Sequence, residues 1–276
     1  MSEWQTILLG FVAGATILIG LPVGRARNLS PTLRTFLNGA SAGVLLFLLF
    51  DILENATAKL EHAVEAIHAG DGSWVTLTGL GLVYVAGLAV GLVSLLYVST
   101  YQRARYARRS HGPGAMAISE AVPDARGALQ LGMSIATGIG LHNFSEGLAI
   151  GQAARGGGLS LALLLVIGFA LHNATEGFGI VGPLAAKEIR ASWGYLLGAG
   201  LVAGGPTLLG TVVGTAFASE HVFVLFLTLA AGAIVYVVAE LLNLGRKLSW
   251  EVTIWGVLAG FVAGLATEMI LIAAGA

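Results

Sequence analysis

Leu141-His142-Asn143-Phe144-Ser145-Glu146-Gly147 is followed, 30 residues on, by a near copy, Leu171-His172-Asn173-Ala174-Thr175-Glu176-Gly177. Each copy lies inside a long apolar stretch, and in each the His and the Glu stand four residues apart. That spacing puts imidazole and carboxylate on one face of a helix. A carboxylate at mid-membrane costs about 2.5–3.5 kcal/mol on insertion scales unless it is paired or protonated. Two such faces therefore need a partner, and the rest of the chain constrains what it is.

The apolar setting extends along the whole sequence. Of 276 residues, 56% are hydrophobic and 11% charged, against about 25% charged in an ordinary soluble domain. Apolar runs of about 20 residues recur, the length that crosses a bilayer as a helix. The expected fold is all-α: a polytopic membrane bundle forming a single transmembrane domain over 1–276. Cysteine is absent, so neither disulfides nor thiolate ligands are available. The 40 glycines are many for a soluble helical protein. In membrane helices they let backbones approach, and Gly10, Gly14, Gly260 and Gly264 read as such packing surfaces. Met1–Trp4 is acidic and too short for a basic n-region, so no cleavable signal is expected.

Eight transmembrane helices are predicted, at 4–24, 34–56, 75–99, 128–152, 159–182, 192–217, 222–244 and 252–275. The sizeable connections are 57–74 and a cytoplasmic loop at about 100–127. With both termini external, 12 of the 14 Lys and Arg fall on the cytoplasmic side, and only Lys59 and Arg155 fall outside. This is the positive-inside distribution of a multi-pass protein, expected in the plasma membrane.

No Lys or Arg lies in any span interior, whereas Asp51, Glu54, Glu146, Glu176, Glu240, Glu268, His142 and His172 do. The counter-ion must be a proton or a cation from solution. His142 lies 15 residues before position 157 and His172 15 after it, so an antiparallel hairpin brings both imidazoles to one depth. Two His and two Glu form a nitrogen and oxygen donor set that suits Zn²⁺ and neighbouring divalent ions. Asn143 and Asn173 add carbonyl oxygens that ligate or orient the ligands. Asp51, Glu54 and Asn55 share a face toward one end of the second span; Glu240 and Asn243 share one toward the opposite end of the seventh. This placement predicts an inverted repeat relating spans 1–3 to spans 6–8, with spans 4–5 between them, a 3+2+3 arrangement. Glu268 reads as structural or interfacial. Glu61, His62, Glu65, His68 and Asp71 read as a solvated acidic loop.

The strings LHNFSEGLAIG and LHNATEGFGI resemble the paired HNxPEG-type motifs of the Zrt/Irt-like (ZIP) metal transporters, and the resemblance extends over the chain. It implies eight spans with external termini and a variable cytoplasmic third loop. It also implies a transport site at His142, Asn143, Glu146, His172, Asn173 and Glu176, and passage of zinc, iron, manganese or cadmium into the cytosol. Three departures stand out. Ser145 and Thr175 occupy the place of the motif proline; either can bond back to a carbonyl and bend the helix. Gly204-Gly205-Pro206 stands where some members carry a sixth-helix carboxylate. The third loop offers only His111 instead of a His-rich run.

The resulting expectation is a divalent-metal importer working by alternating access, not an enzyme, with the ion as substrate and no catalytic cofactor. Its partners are the metal and the lipid bilayer, with no nucleic acid; small-residue helix faces suit a homodimer. An intramembrane metal hydrolase is the first alternative, but the chain lacks HExxH, whose Glu would act as general base. A proton-coupled carrier of an organic cation is the second. Its aromatic cage is missing, since the His/Glu faces carry no aromatic beyond Phe144.

Overall fold

The computed structural model describes residues 3–25, 29–109, 122–155, 159–216 and 219–273, and it does not describe the side chain of His172. Every element among them is helical. Helix α1 (Glu3–Ala15) continues as two 3₁₀ turns, Thr16–Ile19 and Leu21–Arg25. Then come α2 (Pro31–Ala69), α3 (Trp74–Arg109), α4 (Val122–Arg155), α5 (Leu159–Ala186), α6 (Trp193–Ala216), α7 (Glu220–Leu248) and α8 (Trp250–Ala273). Among the described residues, six segments are long and apolar enough to cross a membrane: Glu3–Arg25, Pro31–Ala69, Trp74–Tyr97, Trp193–Ala216, Glu220–Leu248 and Trp250–Ile270.

Serine starts most of these helices. Ser30 and Ser219 accept from the backbone N–H of Leu33 and Val222 at 3.2 and 3.4 Å, and Ser192 accepts from that of Tyr195 at 3.1 Å. Pro31 takes the first helical position of α2, where its missing N–H costs nothing. Arg246 and Lys247 close the last turn of α7, which suits the negative end of its dipole.

Several spans differ from the sequence expectation. The expected loop 57–74 is mostly helix, because α2 has 39 residues and a length of about 58 Å. Its last turns carry Glu61, His62, Glu65 and His68 exposed, beyond what about 30 Å of hydrocarbon would cover. The first span is not one continuous α-helix; it tightens at Thr16, whose hydroxyl bonds back to Ala13 O at 2.6 Å. The expected cytoplasmic loop at about 100–127 is helical at both ends, since α3 runs on to Arg109 and α4 begins at Val122; its middle, with His111, lies outside the described residues.

Glycine sets the packing. A methyl group on Gly43 or Gly39 of α2 would strike the carbonyl of Val257 or Thr253 on α8; one on Gly256 or Gly260 of α8 would strike that of Phe36 or Ala40. These contacts run in register, so α2 and α8 lie parallel. Helices α3 and α7 make the same kind of pair, with Gly91 on Leu229 O and Gly232 on Leu88 O. So do α4 and α6, with Gly147 on Thr207 O and Gly210 on Phe144 O, and α1 and α5, with Gly177 on Ile17 O and Gly20 on Ala174 O. Such close approach brings Cα–H groups onto carbonyl oxygens and maximises dispersion where lipid offers no hydrophobic drive. The shared core between the pairs is formed by Leu45, Leu48 and Ile52 of α2, Ile135 and Ile139 of α4, Ile180 and Leu184 of α5, and Ile234 and Leu241 of α7.

Two helix ends have the same hydrogen-bond pattern. After α2, Asp71 N donates to Ala66 O at 3.0 Å and Gly70 N to Ile67 O at 3.1 Å, with Gly70 at φ 89°. After α5, Ile189 N donates to Leu184 O at 2.9 Å and Glu188 N to Ala185 O at 3.2 Å, with Glu188 at φ 59°. Both are left-handed caps of the Schellman type, a position that favours glycine. The Glu188 carboxylate pairs with Arg34 at the start of α2. Beside it, Arg25 donates to Ala191 O and lies 4.8 Å over the Trp193 ring.

Candidate functional site

The site forms where α4, α5 and α2 meet in the core. On α4, His142 and Glu146 are 4% and 5% exposed, and Nε2 of the first lies 3.4 Å from Oε1 of the second. Their contact follows from the i, i+4 spacing on an unbroken helix. Ser145, between them, donates its hydroxyl to His142 O at 2.7 Å, the back-bond expected where proline is absent. Glu176 of α5 is fully buried and lies within electrostatic reach of His142, Glu146 and Asp51, with the Asn143 amide beside its carboxylate. His172 lies outside the described side chains. Among the described residues, no three His, Asp or Glu side chains converge closely enough to hold a metal ion.

The two asparagines reach away from each other into neighbouring helices. Asn143 Nδ2 donates to Ala203 O of α6 at 3.1 Å, and Asn173 Nδ2 donates to Ala13 O of α1 at 2.9 Å. Both side chains are fully buried. Neither Oδ1 has a hydrogen-bond partner among the described residues. Glu146 Oε2 is likewise buried without one. Three oxygens of the motif faces are thus held in the interior with acceptor capacity unused, in a setting where such groups are normally satisfied.

Asp51 of α2 extends the cluster toward one end. It is partly buried, receives the Asn55 amide at 3.1 Å, and lies within electrostatic reach of His142, Glu54 and Glu268. Glu54 itself is exposed. Glu268, which the sequence suggests is structural, joins this group because α8 runs parallel to α2: Gly264 meets Phe47, and one turn on Glu268 stands at the level of Asp51. The glycine spacing on α8 was the signal in the sequence, but it names a partner only once the helix pair is known. Toward the opposite end, Glu240 of α7 is partly exposed and receives the Tyr236 hydroxyl at 3.2 Å; Asn243 is exposed. Tyr236, four residues before Glu240, shares its helical face, a spacing that marks it in the sequence.

Chemically, the buried face among the described residues offers an imidazole, carboxylates and amide oxygens with no guanidinium beside them, donors that attract a cation rather than an anion. No protein-family model matches the chain, and no curated protein matches it.

Proposed function

We propose that the chain is a ZIP-type transporter that carries Zn²⁺, or a related ion such as iron, manganese or cadmium, across the plasma membrane into the cytosol. One observation carries this reading: His142, Glu146 and Glu176 are buried together, while every Lys and Arg of the chain falls near a helix end, in a loop, or on α2 beyond Asn55. A mobile cation supplies the missing charge. The metal binds between α4 and α5 through His142, Glu146, His172 and Glu176, with Asn143 and Asn173 as additional oxygens. It arrives past Asp51 and Glu54 and leaves past Glu240 and Asn243.

Eight crossings in a 3+2+3 inverted repeat are the architecture that goes with this reading. The contacts between helices support it by their numbering. In α1 and the 3₁₀ segment that continues it, the contact positions Ala13, Gly14, Ile17 and Gly20 correspond to Ala203, Gly204, Thr207 and Gly210 of α6, each 190 positions on. Their partners Asn173, Ala174 and Gly177 on α5 correspond to Asn143, Phe144 and Gly147 on α4, 30 positions back. The same holds for the outer pairs: Gly91 on Leu229 O repeats as Gly260 on Ala40 O, and Gly232 on Leu88 O repeats as Gly43 on Val257 O. Tryptophan supports the crossings: Trp4 and Trp74 are exposed at the starts of α1 and α3, Trp193 and Trp250 at those of α6 and α8. With eight crossings these become two belts, one at each interface. The small-residue faces suit a homodimer.

The test is uptake of radiolabelled zinc into proteoliposomes. Wild type accumulates zinc, and the double variant His142→Ala, Glu176→Ala does not; equal accumulation by the two would remove the site. Acidification should weaken zinc binding, because protons compete for imidazole and carboxylate.

A further inference from the structure

We propose that Asn143 and Asn173 are positioning residues that couple the site to the proline turn of α6 and to the 3₁₀ turn at the end of α1. This rests on the transport reading given above. Each amide crosses to a backbone carbonyl at a comparable place. Ala13 O, the acceptor for Asn173, also receives the Thr16 hydroxyl at 2.6 Å where α1 passes from α-helix to 3₁₀ turns. Ala203 O, the acceptor for Asn143, lies three residues before Pro206, the proline inside α6. Pro206 has no N–H, so Val202 O lacks its ordinary partner four residues on. A stretch of 3₁₀ helix and an internal proline are both points where a helix changes direction at low cost.

The two bonds share a further property. In each case the amide nitrogen donates to the neighbouring helix from a side chain with no exposed surface, and Oδ1 has no hydrogen-bond partner among the described residues; the Asn143 amide also lies beside the Glu176 carboxylate. An ion that draws on Oδ1 pulls on the same planar amide that holds Ala13 or Ala203. The backbones leave no slack for the helices to move independently, since Gly177 abuts Ile17 O, Gly147 abuts Thr207 O, and Gly14 and Gly204 abut each other's carbonyls. Occupancy of the site is thus transmitted to α1 and α6 at the turns where they bend most easily.

Aspartate keeps an oxygen and the volume, loses the N–H and adds a carboxylate charge, so the role is separated from that of a simple ligand by amide exchange in the neighbouring helix and not by zinc affinity. In Asn143→Asp and Asn173→Asp, the maximal rate of zinc uptake should fall about tenfold, the effect of one lost hydrogen bond. Amide hydrogen exchange should rise about tenfold over 13–20 in Asn173→Asp and over 203–210 in Asn143→Asp, each without change in the other segment. Pro206→Ala supplies an independent arm with the site intact: it restores the N–H, stiffens α6, and should lower the maximal rate without changing zinc affinity. Full transport by both aspartate variants would overturn the proposal. So would parallel loss of affinity and rate with unchanged exchange at both segments, which is the signature of ligands alone. Should wild type move no zinc, the transport reading fails, and the exchange measurement still judges the coupling separately.

Discussion

The α4 and α5 copies of the motif do the same packing work against different neighbours. In both, the Asn donates to a carbonyl and the Gly lies on another carbonyl one turn later, on α6 for the first copy and on α1 for the second. The neighbours then diverge. Helix α6 keeps its α-helical form through Pro206, whereas α1 gives up that form at Thr16. Glu146 is paired with His142 within its own helix, and Glu176 lies within electrostatic reach of groups on α4 and α2. A duplicated sequence has thus yielded equal scaffolding against different neighbours. The scaffold is therefore set by the small and amide residues, the polar character by where the charged ones end up.

That division can be broken at several points. The largest effect should come from Gly147→Val and Gly177→Val, whose side chains would meet Thr207 O and Ile17 O. Each should lose about 3 kcal/mol, read as a lowered unfolding temperature in detergent, and the two losses should match. A copy that tolerates valine would show that the scaffolding roles are not equal. Next, Glu146→Gln and Glu176→Gln should each weaken zinc binding on the order of 100-fold while leaving thermal stability near wild type. Isothermal titration separates the two, and retention of full affinity in either would remove that carboxylate from the binding face. Glu268→Gln should do less, about tenfold in the apparent affinity for uptake at low zinc, with no change in maximal rate; a loss of rate instead would move Glu268 into the binding face. The smallest change is expected for Ser145→Ala, which removes one back-bond and should cost about 1 kcal/mol or less.

The helical character, the order of the helices and the doubled motif were legible in the sequence because they rest on local signals. Apolar run length and the i, i+4 spacing of His142 and Glu146 both act within a turn or two. What was not legible depends on contacts between distant segments. The neighbourhood of Glu268 and Asp51 follows from parallel packing of α2 and α8 through Gly256 and Gly260, which no local pattern specifies. The direction of the Asn143 and Asn173 amides follows from carbonyls 60 and 160 residues away. The tightening of α1 at Thr16 was hidden because Thr16–Ile19 is as apolar as the helix before it, and hydropathy does not distinguish a 3₁₀ turn from an α-turn.

Glu188 carries a consequence for how the protein responds to its medium. It occupies a left-handed cap that Gly70 fills without strain at the far end of α2, and for a residue with a side chain that conformation costs about 1 kcal/mol. Its compensation is electrical, a carboxylate set against Arg34, and electrical compensation fades as the Debye length shrinks. Added salt should therefore loosen the turn between α5 and α6 while leaving the glycine-capped end of α2 unmoved. One end of the bundle is then an ionic-strength gauge and the other is not.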